Sequence, residues 1–301
     1  MKACLTACLA LTALAGSARA TSHLWQYHLP ETGLLPSAVS ASYVSHMGAR
    51  HGAGALGWSQ LNLTVPFADP RRTNVGSWYV NVALDAERTE LDNHDALSIG
   101  HHSMWDLSLP VTLIHSMEHE RRLVIGVVPH LATDFGDGGH SFEPGAFVDY
   151  RFLKSETLSV SAGLALAPLQ TDWWVLPFFC VEKEFGSAWS FTWKGYDARM
   201  MYNLGHGMRV GAFVRGAGGS WATDTADGSR LLRVRSLVAG LRFQGENADA
   251  EGHTTSMLFV DVGSALMTRA TLSRWNDRNN SVESRHFHPG FYLSGGLDFR
   301  F

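Results

Sequence analysis

HFHPGFYLSGGLDFRF, residues 286–301, closes the chain and sets how the rest of it is read. Counted back from the carboxyl end, Phe301, Phe299, Leu297, Leu293 and Phe291 share one parity, interrupted only by Gly295. Arg300, Asp298, Gly296, Ser294 and Tyr292 share the other. A period of two places successive side chains on opposite faces of an extended strand, so this segment carries one apolar and one polar face.

The same alternation recurs through most of the chain. Ser37 to Met47 predicts a first strand and Gly57 to Phe67 a second, with Leu61, Leu63, Val65 and Phe67 opposed to Gln60, Asn62 and Thr64. In the third, Trp78, Val80, Val82, Leu84 and Ala86 alternate with Tyr79, Asn81, Asp85 and Glu87. Further strands are predicted from Trp105 to Leu113, Leu123 to Leu131, Ala146 to Phe152, Leu158 to Leu166, Trp173 to Val181, Trp189 to Lys194, Arg199 to Asn203, Met208 to Arg215, Leu231 to Phe243 and Met257 to Arg269. Polar connections are expected at Asp92 to His102, Asp134 to Pro144, Thr223 to Ser229, Gln244 to His253 and Ser273 to Ser284. No amphipathic helix of ten or more residues interrupts the pattern. The spans number thirteen or fourteen, depending on whether Gly195-Tyr196 turns the chain. A closed all-β sheet of antiparallel neighbours favours the even number, fourteen, with twelve as the alternative.

Met1-Lys2, the apolar run Ala3 to Ala15 and Ala18-Arg19-Ala20 have the form of a cleaved secretory leader, residues 1–20. Thr21 to Pro36 carries two prolines and no clear period, so it reads as a lead-in or a segment tucked inside the fold. Loss of the leader leaves Cys180 as the one cysteine, which excludes an internal disulfide. The formal charge of −4 becomes more negative once Lys2 and Arg19 are removed, and an acidic chain of this kind gives no support to nucleic-acid binding. After the leader no apolar run is long enough for a membrane helix. Thirty glycines and 11% aromatics fit either a membrane barrel or a large soluble sandwich.

With a terminal strand that stops on an aromatic, the chain resembles outer-membrane β-barrel proteins. That resemblance implies a closed, up-and-down transmembrane β-barrel over residues 37–301 in the outer membrane of a Gram-negative-type envelope. It also implies an assembly signal in Phe291, Leu293, Leu297, Phe299 and Phe301, read by the barrel insertion machinery. The stretch Trp189 to Val214 (WSFTWKGYDARMMYNLGHGMRVGAFV), with Arg199 and Tyr202 in one strand and a Gly-His-Gly turn after it, is similar to an uncharacterised family of predicted outer-membrane barrels known as a domain of unknown function. The family brings no activity and no catalytic residue.

On this reading the polar parities would line a lumen with Asp85, Asp106, Asp149, Arg151, Arg209, Arg215, Asp261, Arg269 and Asp298. Glu87 and Arg300 share those faces. Near-balanced charges in a narrow interior pair, since an unpaired buried charge costs several kcal/mol. The expected function is a porin-like passage for small solutes, or a structural and surface barrel, with outer-membrane lipid as its surroundings and no cofactor. Fifteen histidines raise a metal question, at His286 and His288 on one strand face and at His94, His101, His102 and His140 near Asp92, Asp95 and Asp137. Scattered surface and interfacial histidines on a Lys-poor chain account for them much better, and no metal is expected. A lipid hydrolase of the phospholipase or deacylase type is one alternative. Gly139-His140-Ser141 juxtaposes a histidine and a serine, but sequence neighbours in a strand point apart, and no Gly-x-Ser-x-Gly elbow occurs. A secreted soluble β-sandwich that binds a carbohydrate or protein is the other.

Overall fold

The computed structural model describes residues 37–67, 74–75, 78–136, 142, 144–169, 172–225, 228–248, 254–274 and 277–299. The leader, the lead-in 21–36, Gly139-His140-Ser141, Arg300 and Phe301 lie outside the described residues. Fourteen strands follow one another around a closed, antiparallel circuit. They are β1 (Ser37–Gly48), β2 (Ala55–Pro66), β3 (Trp78–His94), β4 (Ser103–Ser108 and Val111–Ser116), β5 (Arg122–Val128 and His130–Thr133), β6 (Gly145–Lys154) and β7 (Leu158–Leu169). The circuit continues with β8 (Asp172–Phe185), β9 (Trp189–Lys194), β10 (Asp197–Gly205), β11 (Met208–Thr225) and β12 (Gly228–Ala248). It ends with β13 (Thr254–Ala265 and Arg269–Arg274) and β14 (Asp277–His286 and Gly290–Phe299). β14 returns to β1 with Ser37 opposite Phe299 and Val44 opposite Tyr292, so no sheet edge is left open.

Local chemistry explains the interruptions. β4 and β5 break at Pro110 and Pro129, which have no N–H to donate, yet both carbonyls still accept from Ala83 and Leu109 at 3.1 and 3.0 Å. Gly195-Tyr196 does turn the chain, between β9 and β10, which gives the even count. Three expected connections are shorter than the sequence suggests. β11 and β12 pair through to Thr225 and Gly228, β13 and β14 flank residues 275–276, and β12 continues to Ala248 before β13 resumes at Thr254. Cross-strand pairing carries polar residues into these hairpins, where composition alone reads loop.

The predicted parity is realised around the wall. Tyr43, Leu293, Val262 and Leu241 stand in one register row, and Leu113, Ile125, Val148 and Leu164 in another. Most of these are exposed, as are Leu61 at 54% and Leu258 at 56%. Their strand neighbours of opposite parity, among them Ala83, Asp85, Asp106, Val124, Asp149, Arg242, Asp261 and Tyr292, are buried inside. A closed sheet that shows hydrocarbon outward on so many strands and folds its charges inward is built for a bilayer, because water would leave an apolar belt of this size uncovered. The ten residues Gly290–Phe299 suffice for one crossing, given the roughly 9–11 residues of a tilted transmembrane strand. The eighteen residues of β11 and twenty-one of β12 exceed it, so this side of the wall stands taller.

Candidate functional site

The interior holds two charged regions on different parts of the wall. On β10 to β14, the Asp261 carboxylate accepts from Arg242 through Nε at 2.6 Å and Nη2 at 2.8 Å, and from Arg215. Arg215 Nη2 also donates to Tyr292 Oη at 2.7 Å. Register places Phe213, Gly240, Gly263 and Tyr292 in one row, so the Phe213 and Tyr292 rings approach to 6.2 Å across two positions without side chains. The Arg215 guanidinium lies over both rings, and that of Arg242 lies 4.2 Å from the Phe259 ring centroid. Arg199 adds a second fork to Asp197, with Nε to Oδ1 at 2.8 Å.

The β2 to β6 side is carboxylate-rich. Asp85 accepts from Thr64 Oγ1 at 2.7 Å and Asn62 Nδ2 at 3.1 Å, while Gln60 Nε2 donates to Glu87 and Thr89 at 3.0 Å each. Asp106 faces His130 at 2.8 Å, both buried, and Asp149 is buried near Arg122. The lining is therefore unevenly charged: Asp85, Glu87, Asp106 and Asp149 on β3, β4 and β6 share their side with Arg122, whereas Arg199, Arg215 and Arg242 on β10, β11 and β12 are paired with Asp197 and Asp261. Beside the acids, Ala83, Ile114, Val124, Phe147, Phe178 and Cys180 pack as a small apolar cluster.

Above the charged layer, at the mouth remote from Ser37 and Phe299, the interior becomes apolar. Met47, Leu56, Trp58, Met104, Trp221, Leu232 and Phe287 are all at most 2% exposed and form one cluster. Two devices close this mouth. In β11, Gly218 takes φ +112°, a backbone state that disfavours a side chain, and a Cβ at Gly219 would overlap the Trp221 ring at 2.0 Å. The strand bends there and reaches β5, six strands away on the circuit: Ala222 bridges Thr133, Asp134 N donates to Ala222 O at 3.1 Å, and Thr223 Oγ1 donates to Asp134 at 2.7 Å. The second device is the connection after β3. Asn93 Oδ1 accepts from Ala96 N at 3.1 Å and Leu97 N at 3.0 Å, which folds both residues inward to burial. Ser98 N then donates to Glu283 on β14 at 3.0 Å, so this segment reaches past the ends of β1 and β2 along the rim of the mouth.

The expected lumen residues divide. Asp85, Asp106, Asp149, Arg215 and Asp261 point inward and are buried or nearly so. Arg151 donates to Glu120 O and Arg209 pairs with Glu246 at 3.4 Å, both at the end of the barrel that holds the termini. Asp298 is partly buried near the end of β14. Arg269 is the exception. It is exposed beside Ser284, because residues 266–268 interrupt β13 and reset the alternation, turning Ala270 and Leu272 inward instead. Of the assembly residues, Phe291, Leu293 and Phe299 are exposed on the outer face and Leu297 partly so. The sequence reading missed Arg199, Arg242, Asp197 and His130. Leu241 and Phe243 flank Arg242, and that parity alone assigns it to the interior.

No protein-family profile and no curated protein matches the chain. Among solved structures, an outer-membrane channel from Pseudomonas putida F1 aligns with a TM-score of 0.42 at 11% identity, over 88% of this chain and 96% of that one. The Pseudomonas putida toluene transporter TodX gives 0.38 at 10% identity, over 88% and 89%. The KdgM porin, in complex with disordered oligogalacturonate, gives 0.33 at 9%, over 88% and 99%. The barrel assignment of this chain rests on its own strand pairing.

Proposed function

We propose that this chain is an outer-membrane barrel whose interior is a porin-like passage for small solutes, closed at the mouth remote from its termini. The observation that carries the reading is a charged, hydrogen-bonded interior beneath an apolar cap. A barrel that served only as a wall would be at least as stable with hydrocarbon inside, because buried ion pairs are often no better than packed apolar side chains. The cap has a built-in weakness. Trp58 Nε1 and Trp221 Nε1 are buried without a partner among the described residues, and each unpaired N–H costs about 1–3 kcal/mol that contact with water in an open state would return. Residues 1–20 act in this reading as the export leader and 21–36 as a lead-in or plug. Phe301 completes the signal for the insertion machinery in this reading, and the resemblance of Trp189 to Val214 to the uncharacterised barrel family is in keeping with it.

A structural or surface barrel is the second reading, favoured by interior side chains that are almost wholly buried. Planar-bilayer recordings of the purified full chain separate the two. Trp221→Ala with Met104→Ala hollows the cap, and conductance should rise above that of the wild type. Silence of both proteins, with both shown folded by heat-modifiable migration, would assign the barrel a structural role.

A further inference from the structure

A cluster outside the lumen carries separate chemistry. We propose that His46, Asp92 and His94 form a binding site for a divalent first-row transition metal of the zinc class, on the outer rim of the capped mouth. His94 Nε2 lies 3.1 Å from His46 Nε2 and 3.1 Å from Asp92 Oδ1, and His46 Nε2 contacts Asp92 Oδ2. Donors held at about 2.0–2.1 Å from a tetrahedral zinc ion stand roughly 3.3 Å from one another, so the two edges to His94 Nε2 are already close to that spacing, and a small rotation of the exposed Asp92 carboxylate brings the closer His46 edge to it. Two imidazoles and a carboxylate also suit such an ion in ligand type.

Protons alone do not satisfy the arrangement. A neutral imidazole Nε2 carries one hydrogen or one lone pair. If both histidines donate to Asp92, their two N–H groups face each other at 3.1 Å; if one donates to the other, a lone pair faces the carboxylate. At most two of the three contacts can be hydrogen bonds in any tautomer. A cation that accepts a lone pair from every donor satisfies all three at once.

The fold brings the donors together by two local devices. His46 is on β1 and the other two on β3, with β2 between them. The β1–β2 register slips between Val44 and Met47, and the resulting bulge, which re-aims a side chain, throws His46 outward. Gly57 is the β2 residue opposite Asp92, and a Cβ there would meet Val44 O at 3.0 Å and His46 N at 3.2 Å. The missing side chain leaves His46 free to lean across β2. His46 and Asp92 also line an outer depression of about 300 Å³, through which water can complete the coordination of the ion. The three side chains are 45–64% exposed, so a metal in solution reaches them directly.

The test uses the full chain in detergent micelles, titrated with Zn²⁺ alone and followed by calorimetry, with Co²⁺ absorption as a reporter of tetrahedral geometry. Against His46→Ala and His94→Ala, the wild type should bind one additional Zn²⁺, or bind it at least about tenfold more tightly, since losing even a supporting partner of a ligand costs ten- to a hundredfold. Gly57→Val removes no donor yet should lose the same equivalent. His101→Ala, an exposed histidine outside the cluster, should retain it. All variants are checked for folding by heat-modifiable migration, and His94→Gln replaces any that fails. Equal stoichiometry and affinity in wild type and folded His46→Ala and His94→Ala or His94→Gln, or a Co²⁺ spectrum without tetrahedral intensity, would overturn the assignment.

Discussion

Asp261→Ala tests whether the barrel interior is a packed ionic layer or a wetted one. The carboxylate is fully buried and takes three guanidinium hydrogen bonds, two from Arg242 and one from Arg215. Charge-assisted bonds of this kind are worth about 1.5–3 kcal/mol each, but their sum overstates the loss because the guanidiniums relax after truncation. The closer guide is the roughly 3–5 kcal/mol lost when one member of a buried pair is removed and the other charge stays behind. Arg215 keeps Tyr292 Oη at 2.7 Å, whereas Arg242 keeps chiefly its contact with the Phe259 ring at 4.2 Å, so Arg242 carries most of the penalty. Asp261→Asn retains an acceptor without the charge and should fall between Asp261→Ala and the wild type. Asp261→Ala with Arg242→Met removes the stranded cation and should recover most of the stability. The measurement is guanidinium unfolding of the protein in lipid vesicles, followed by tryptophan fluorescence and extrapolated linearly to zero denaturant. If the layer were open to water, the pair would behave as a surface salt bridge worth about 0–1 kcal/mol. A loss for Asp261→Ala within that range would refute the packed layer.

Leu293→Arg should cost about 2–4 kcal/mol if the site lies near the bilayer midplane, and Leu297→Arg less if it lies nearer an interface; the folded fraction in membranes, read by heat-modifiable migration, orders the two. Arg209→Ala should change stability by less than about 1 kcal/mol, because its pairing with Glu246 is long and half-exposed at the barrel end, and the same unfolding assay reads it. Asn93→Ala removes the acceptor that folds Ala96 and Leu97 into the mouth, so bilayer conductance should rise without loss of the folded form; unchanged conductance would separate this connection from the closure.

The alternation of side chains was legible without coordinates. It placed Leu293 and Phe299 outside and Asp261 and Tyr292 inside, because strand parity is encoded by residues adjacent in the chain; the even count came from the closure of the sheet, and the turn at Gly195-Tyr196 was decided by the structure. Parity says which face a residue takes but not which partner it meets there. That Asp261 would hold both Arg242 and Arg215, and that His46 would reach Asp92 and His94 across β2, depended on register between strands distant in sequence. Parity also fails wherever one strand adds or skips a residue. The breaks at 266–268 and at the β1 bulge cost nothing visible in the hydrophobic pattern, yet they turned Arg269 outward and aimed His46 over Gly57. The bend at Gly218 that carries β11 over to β5 belongs to the same class. A glycine permits such a bend, but packing against Trp221 and hydrogen bonding at Asp134 decide that it is made.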